Sequence, residues 1–98
     1  MTVDMSTFGD MLLSRPSGRE AFMGALAYVF PDFPKKEKII LDFAKVKVLT
    51  PSWIDEFIIG IKKNLTQNIQ FINIDNPSVS ASLQTAVNPI DVTTLKKK

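Results

Sequence analysis

Apolar positions along this chain switch between helical and strand periods, and the switches mark out its elements. Phe22, Ala25, Leu26 and Val29 fall at i, i+3, i+4 and i+7, the core-facing stripe of a helix. Ahead of them Ser17 and Glu20 form an S-x-x-E capping box, so this first helix is predicted to open at Ser17. Phe30-Pro31 ends it, because a residue before proline is pushed out of helical geometry. A polar link from Pro31 to Lys38 leads into Ile39-Ile40-Leu41, an apolar run without alternation. That run predicts a strand over Lys38 to Phe43, covered on both faces. Val46 to Leu49 extends the strand past a bend or forms a short turn of its own.

A second helix is predicted from about Ser52 to Leu65, with Ser52 as N-cap and Asp55 at the third helical position. Its stripe is Ile54, Phe57, Ile58, Ile61 and Leu65. Asp55 and Glu56 suit the positive end of the helix dipole, and Lys62 and Lys63 suit the negative end. Ile69 to Ile74 reads as a strand closed by the turn Asp75-Asn76-Pro77. Ser78 then predicts the cap of a third helix reaching about Val87, with Val79, Leu83 and Val87 as its stripe. Ile90 to Thr94 is read as a last short strand, and Thr2 to Met5 as a short edge strand. Strand–helix–strand–helix order from Lys38 onward requires a crossover and a parallel pair. The expected fold class is α/β: one small domain over residues 1–95, a four- to five-stranded mixed sheet with about three helices packed on it. Residues 96–98 are a basic tail.

The segment that carries most information is Ile39 to Phe57. Its motifs are Leu41-Asp42-Phe43, Thr50-Pro51-Ser52-Trp53 and Asp55-Glu56-Phe57, with Phe71 through Leu83 downstream and Ser14-Arg15 and Gly18-Arg19 upstream. In that spacing the chain resembles the STAS-like domains of unknown function, distant relatives of the sulfate-transporter and anti-sigma-antagonist (STAS) domains. The resemblance implies a prokaryotic signalling or regulatory domain that docks on proteins rather than doing chemistry. A histidine-kinase-type ATPase module is the partner it implies. In the anti-sigma-factor antagonists an Asp-Ser-Ser or Asp-Ser-Thr followed by Gly precedes this helix, and its first hydroxyl residue is phosphorylated. Aligned here, that residue falls on Pro51, the acid on Thr50 and the glycine on Trp53. Proline cannot take a phosphate, so the kinase switch of those relatives is not expected at that position.

Composition removes other classes. Of 98 residues none is His or Cys, which takes away the commonest general base, the thiolate nucleophile and the usual transition-metal ligands. Asp55 and Glu56 are adjacent in a helix and point about 100° apart, so they do not converge as an acid–base pair. No catalytic residue, metal site or cofactor is expected, and the chain is not read as an enzyme. The sequence pI of about 9.0 misleads. Lys96, Lys97 and Lys98 supply three of the twelve basic residues, and the remaining nine face ten acidic ones. A nearly neutral body lacks the basic face that nucleic acid requires. With no signal peptide or membrane span in view, a cytoplasmic protein without nucleic-acid or membrane partners is expected, as a monomer or weak homodimer.

Two surfaces stand out as binding candidates. The first is the loop and start of the second helix, with Thr50, Ser52, Trp53, Asp55, Glu56 and Ile59 as partner contacts. Trp53 lies in line with Gly60, and Ile59 lies off the core stripe; aromatic anchors of this kind dominate interfaces. The plainer alternative packs Trp53 under the Pro31–Pro34 link. The second candidate is an anion or nucleotide site at the first helix start, from Arg15, Ser17, Gly18 and Arg19, where free N–H groups and the dipole favour negative charge. Its plainer alternative is an ordinary capped helix with surface arginines.

Overall fold

The computed structural model describes residues 1–34 and 37–86. In chain order these form β1 (Thr2–Asp4), a short 3₁₀ turn (Met5–Phe8), β2 (Met11–Leu12) and α1 (Arg15–Tyr28). They continue with β3 (Ile39–Asp42), β4 (Val48–Leu49), α2 (Pro51–Asn64), β5 (Ile69–Ile72) and α3 (Pro77–Thr85). The expected strand at Ile90 to Thr94, and the Val87 end of the third stripe, lie outside the described residues.

Three helices and the parallel pairing are as expected, but a single mixed sheet is not what forms. The strands divide into a three-stranded sheet of order β1-β3-β5 and a two-stranded sheet of order β2-β4, and every pair is parallel. The bend after Asp42 is the reason. The Asp42 carboxylate accepts from the Ala44 N–H (2.9 Å), and Val46 N–H closes back on the Phe43 carbonyl (3.1 Å). This turn lifts Val48 and Leu49 out of the plane of β3, where they pair with β2 instead. The isoleucine-rich strand is also not covered equally on both faces. Ile39 and Leu41 are fully buried beside Ile69, Phe71 and Val3, while Ile40, Asp42, Gln70 and Ile72 on the opposite face are only half-buried.

All three helices start earlier in the chain than the cap residues predicted from sequence. Ser14, not Ser17, caps α1, its hydroxyl accepting from Ser17 N–H (3.2 Å). Thr50, not Ser52, caps α2, and Asn76, not Ser78, caps α3. The physical reason is proline. It is tolerated in the first turn because its missing N–H needs no partner there. At Thr50 and Asn76 it also forces the preceding residue into the extended geometry that an N-cap adopts.

Two glycines set how closely α1 and α2 approach. A Cβ on Gly18 would stand 2.5 Å from the Trp53 carbonyl oxygen, and a Cβ on Gly60 would overlap the Phe22 ring. Each helix thus gives up one side chain to admit the other helix. Between them lies an aromatic cluster. Trp53 stacks on Phe57 at 5.3 Å between ring centres, Phe22 meets Phe57 edge-on at 5.7 Å, and Phe8 closes the group from the 3₁₀ turn.

Candidate functional site

The start of α2 is built by Thr50. Its hydroxyl accepts from Trp53 N–H (3.3 Å) and donates to the Leu13 carbonyl (2.6 Å), so one side chain caps the helix and ties it to the strand before α1. This fixes the rotation of α2, and the rotation sorts the six predicted contact residues into three groups. Thr50 and Ser52 are half-buried at the helix start. Trp53 and Asp55 point inward, 0% and 2% exposed. Glu56 and Ile59 face α1 and the solvent beyond it.

Trp53 is therefore not a docking anchor. It lies in the aromatic cluster rather than under the proline link, and its indole N–H donates to Ser17 Oγ (3.3 Å). Gly60, in line with it on α2, is packed against by the Phe22 ring.

Asp55 and Glu56 receive the arginines of the predicted anion site. Arg15 Nη1 bonds Asp55 Oδ2 at 3.0 Å and Glu56 Oε2 at 2.8 Å, and Arg19 Nε bonds Glu56 Oε1 at 3.1 Å. The two candidate surfaces thus meet and largely neutralise each other. Ser17 is taken by the Trp53 indole and Gly18 by the Trp53 backbone, so α2 engages all four residues proposed to hold an anion. The hydrogen bond from Arg15, with a further one from Arg19, holds the Glu56 carboxyl below its ordinary range, against the opposing effect of burial. Bonds from Asp55 first and Glu56 second push the Arg15 guanidinium further up.

Past this ion-pair cluster a groove opens between α1 and α2, about 350 Å³ in volume. Phe22, Met23, Leu26 and Ile59 give it apolar walls, Gly60 and Asn64 its floor and far end, and Arg19 and Glu56 its near end. Met23 is 62% exposed. The sequence pattern picked out Ile59 and Glu56 but missed Met23, Leu26 and Asn64. A signal was present: Met23 lies off the core stripe of α1 as Ile59 lies off that of α2. Two such residues on helices joined by glycine contacts mark a shared outer seam.

The C-terminal ends of β3 and β5, where open parallel sheets often hold ligands, carry a second depression of about 290 Å³ lined by Phe43, Ala44, Val46, Asn73, Asp75 and Asn76. Its two asparagine side chains are spent on turns. Asn73, in the left-handed region at φ 56°, donates to Asp42 (2.9 Å), while Asn76 caps α3 and donates to the Lys47 carbonyl (2.9 Å). Among the described residues no three His, Cys, Asp or Glu side chains are grouped to hold a metal ion. No described helix is long and apolar enough to cross a membrane.

Comparison with known proteins agrees with the motif reading. No curated protein and no solved structure matches the chain. The profile of the STAS-like domain of unknown function (DUF4325) matches residues 28–79, from the end of α1 through β3, β4, α2 and β5 into α3. The match spans the Leu41-Asp42-Phe43, Thr50-Pro51-Ser52 and Asp55-Glu56-Phe57 segments that build the sheet bend, the capped helix and the ion-pair cluster. This chain belongs to the family of STAS-like domains of unknown function.

Proposed function

We propose that the domain is a non-enzymatic protein-interaction module in prokaryotic signalling or regulation, and that it docks partners along the groove between α1 and α2. The observation that carries this is the groove itself. It is an apolar trough with Met23 62% exposed at its lip, ended by an ion pair whose Arg19 is 68% exposed. Apolar surface rimmed by charge is the usual make-up of a docking patch. The titratable side chains nearby are bonded to one another, which suits a scaffold better than a reacting site. A histidine-kinase-type ATPase module remains the partner class favoured by the resemblance.

The nucleotide-binding alternative at Arg15 to Arg19 has less support, because a phosphate would have to displace Asp55 and Glu56 from both arginines. The deciding experiment is pull-down with the products of neighbouring genes, using wild type and a Met23→Asp, Ile59→Asp variant. Both side chains line the groove outside the buried core, so the variant is expected to fold and to lose the partner. A folded variant that captures every partner of the wild type rejects the groove. A thermal-shift screen with nucleotides and phosphate tests the alternative: a ligand at 100 times its Kd adds about 2.7 kcal/mol.

A further inference from the structure

The hydrogen bonds between β2 and β4 reveal which way each backbone group of β2 points. Val48 N–H donates to the Asp10 carbonyl (3.1 Å) and Thr50 N–H to the Leu12 carbonyl (3.0 Å). Alternate residues of a strand turn their N–H and C=O to opposite sides. Met11 N–H, Met11 C=O and Leu13 N–H therefore face away from β4, and none of the three bonds another described residue. On the far side of the same small sheet, alternation turns Leu49 outward, and there α3 has sealed the edge. Ser78 Oγ accepts from Leu49 N–H (3.0 Å), and Ser78 and Ser82 hydroxyls donate to its carbonyl (3.2 and 2.5 Å). Among the described residues one edge is closed by side chains and the other is open.

The open edge is apolar. Met11 and Leu13 are 57% and 47% exposed on one face, while Leu12 between them is buried. Val48, the register neighbour of Met11, is half-buried. Edge strands are commonly protected by charged side chains. Here the flanking charges are already compensated within the chain: Asp10 by Lys47 at 3.6 Å, and Arg15 by Asp55 and Glu56.

We propose that β2 is a self-association edge, on which a second copy of this chain pairs antiparallel about a two-fold axis at Met11. In a hydrogen-bonded antiparallel pair the two opposed residues exchange both N–H···O bonds. Met11 presents both groups outward, so it is its own complement, as a two-fold contact requires. The two Met11 side chains then meet on one face beside both Leu13, covering the exposed patch. The pairing is short, so the dimer is weak and forms only at high protein concentration. It does not involve the α1–α2 groove.

Sedimentation equilibrium from micromolar to millimolar protein tests this. The average mass is expected to rise from 10.9 kDa toward twice that value, with Met11 and Leu13 amides exchanging more slowly as concentration increases. Met11→Pro deletes the outward N–H, which bonds nothing described within the chain, and is expected to stay monomeric with unchanged circular dichroism. If Met11→Pro does not fold, a Met11→Lys, Leu13→Lys variant decides, since it keeps the backbone and sets like charges across the axis. A chain that is monomeric throughout, variants that associate as wild type does, or association without protection at Met11 would each overturn the proposal.

Discussion

Arg15, the first residue of α1, bonds Asp55, one turn into α2, at 3.0 Å, and Asp55 is 2% exposed. A carboxylate that deep needs a charged partner, and the opening residue of the other helix supplies it. The pair thereby fixes where the two helix starts meet. It also changes the electrostatic character of the region, since cations read as an anion site become part of the scaffold.

Arg15→Ala should therefore destabilise the domain more than Arg19→Ala. The first leaves a buried carboxylate without its guanidinium. The second loosens one bond from a side chain that is 68% exposed, the kind of pair that contributes little. Thermal unfolding of the two variants side by side checks the order. Equal melting temperatures would show that Asp55 does not depend on Arg15.

The cap of α2 gives a quantitative contrast. Thr50→Ala removes the hydroxyl that accepts from Trp53 N–H and donates to the Leu13 carbonyl, and should cost about 1–2 kcal/mol. Ser52→Ala should change stability by less than about 0.5 kcal/mol, the range of ordinary surface substitutions. Urea unfolding measures both; a larger loss at Ser52 would return the cap to that residue.

Glycine positions test the helix approach. Gly60→Ala should destabilise by about 1–3 kcal/mol, because its methyl would have to displace the Phe22 ring from between the helices. Gly24 has open space around it on α1, so Gly24→Ala should raise stability through helix propensity by up to about 1 kcal/mol. Opposite signs for two identical substitutions are the expected result in chemical denaturation. A neutral Gly60→Ala would mean that the helices part at no cost.

Acid should weaken the fold through Glu56. Its carboxyl is held below the ordinary value by Arg15 first and then by Arg19, so the unfolded chain takes up the proton more readily than the folded one. The contribution is present above the unfolded-state value near 4.5 and is lost as pH falls through the lower folded value. Glu56→Gln should therefore flatten stability against pH below about 4.5. The measurement is the melting temperature from pH 7 down to pH 3, and parallel curves would place the acid sensitivity elsewhere.

Much of this protein is determined locally. The stripes of α1 and α2, the strands at Ile39 and Ile69 and the edge strand at Thr2 follow from side-chain spacing alone, because periods of 3.6 and 2 are imposed by backbone geometry. The motifs that name the family lie in the same stretches. Cap positions were also local, but proline reads two ways in a sequence: as a helix breaker, or as a first-turn residue that extends its predecessor. That ambiguity moved the predicted caps at Ser17, Ser52 and Ser78 to Ser14, Thr50 and Asn76.

Only the tertiary structure decided the site. Whether Trp53 faces out or in, whether Arg15 is an anion ligand or half of an ion pair, and whether Val48 extends β3 or pairs with Met11 all depend on residues 36 to 41 positions away or on a bend between strands. Periodicity gives the direction of a side chain relative to its own helix. It cannot give the rotation of that helix against its neighbour, and here that rotation follows from the Thr50 tie to the Leu13 carbonyl together with the close approach at Gly18 and Gly60, whose missing side chains leave no mark in a hydrophobic pattern.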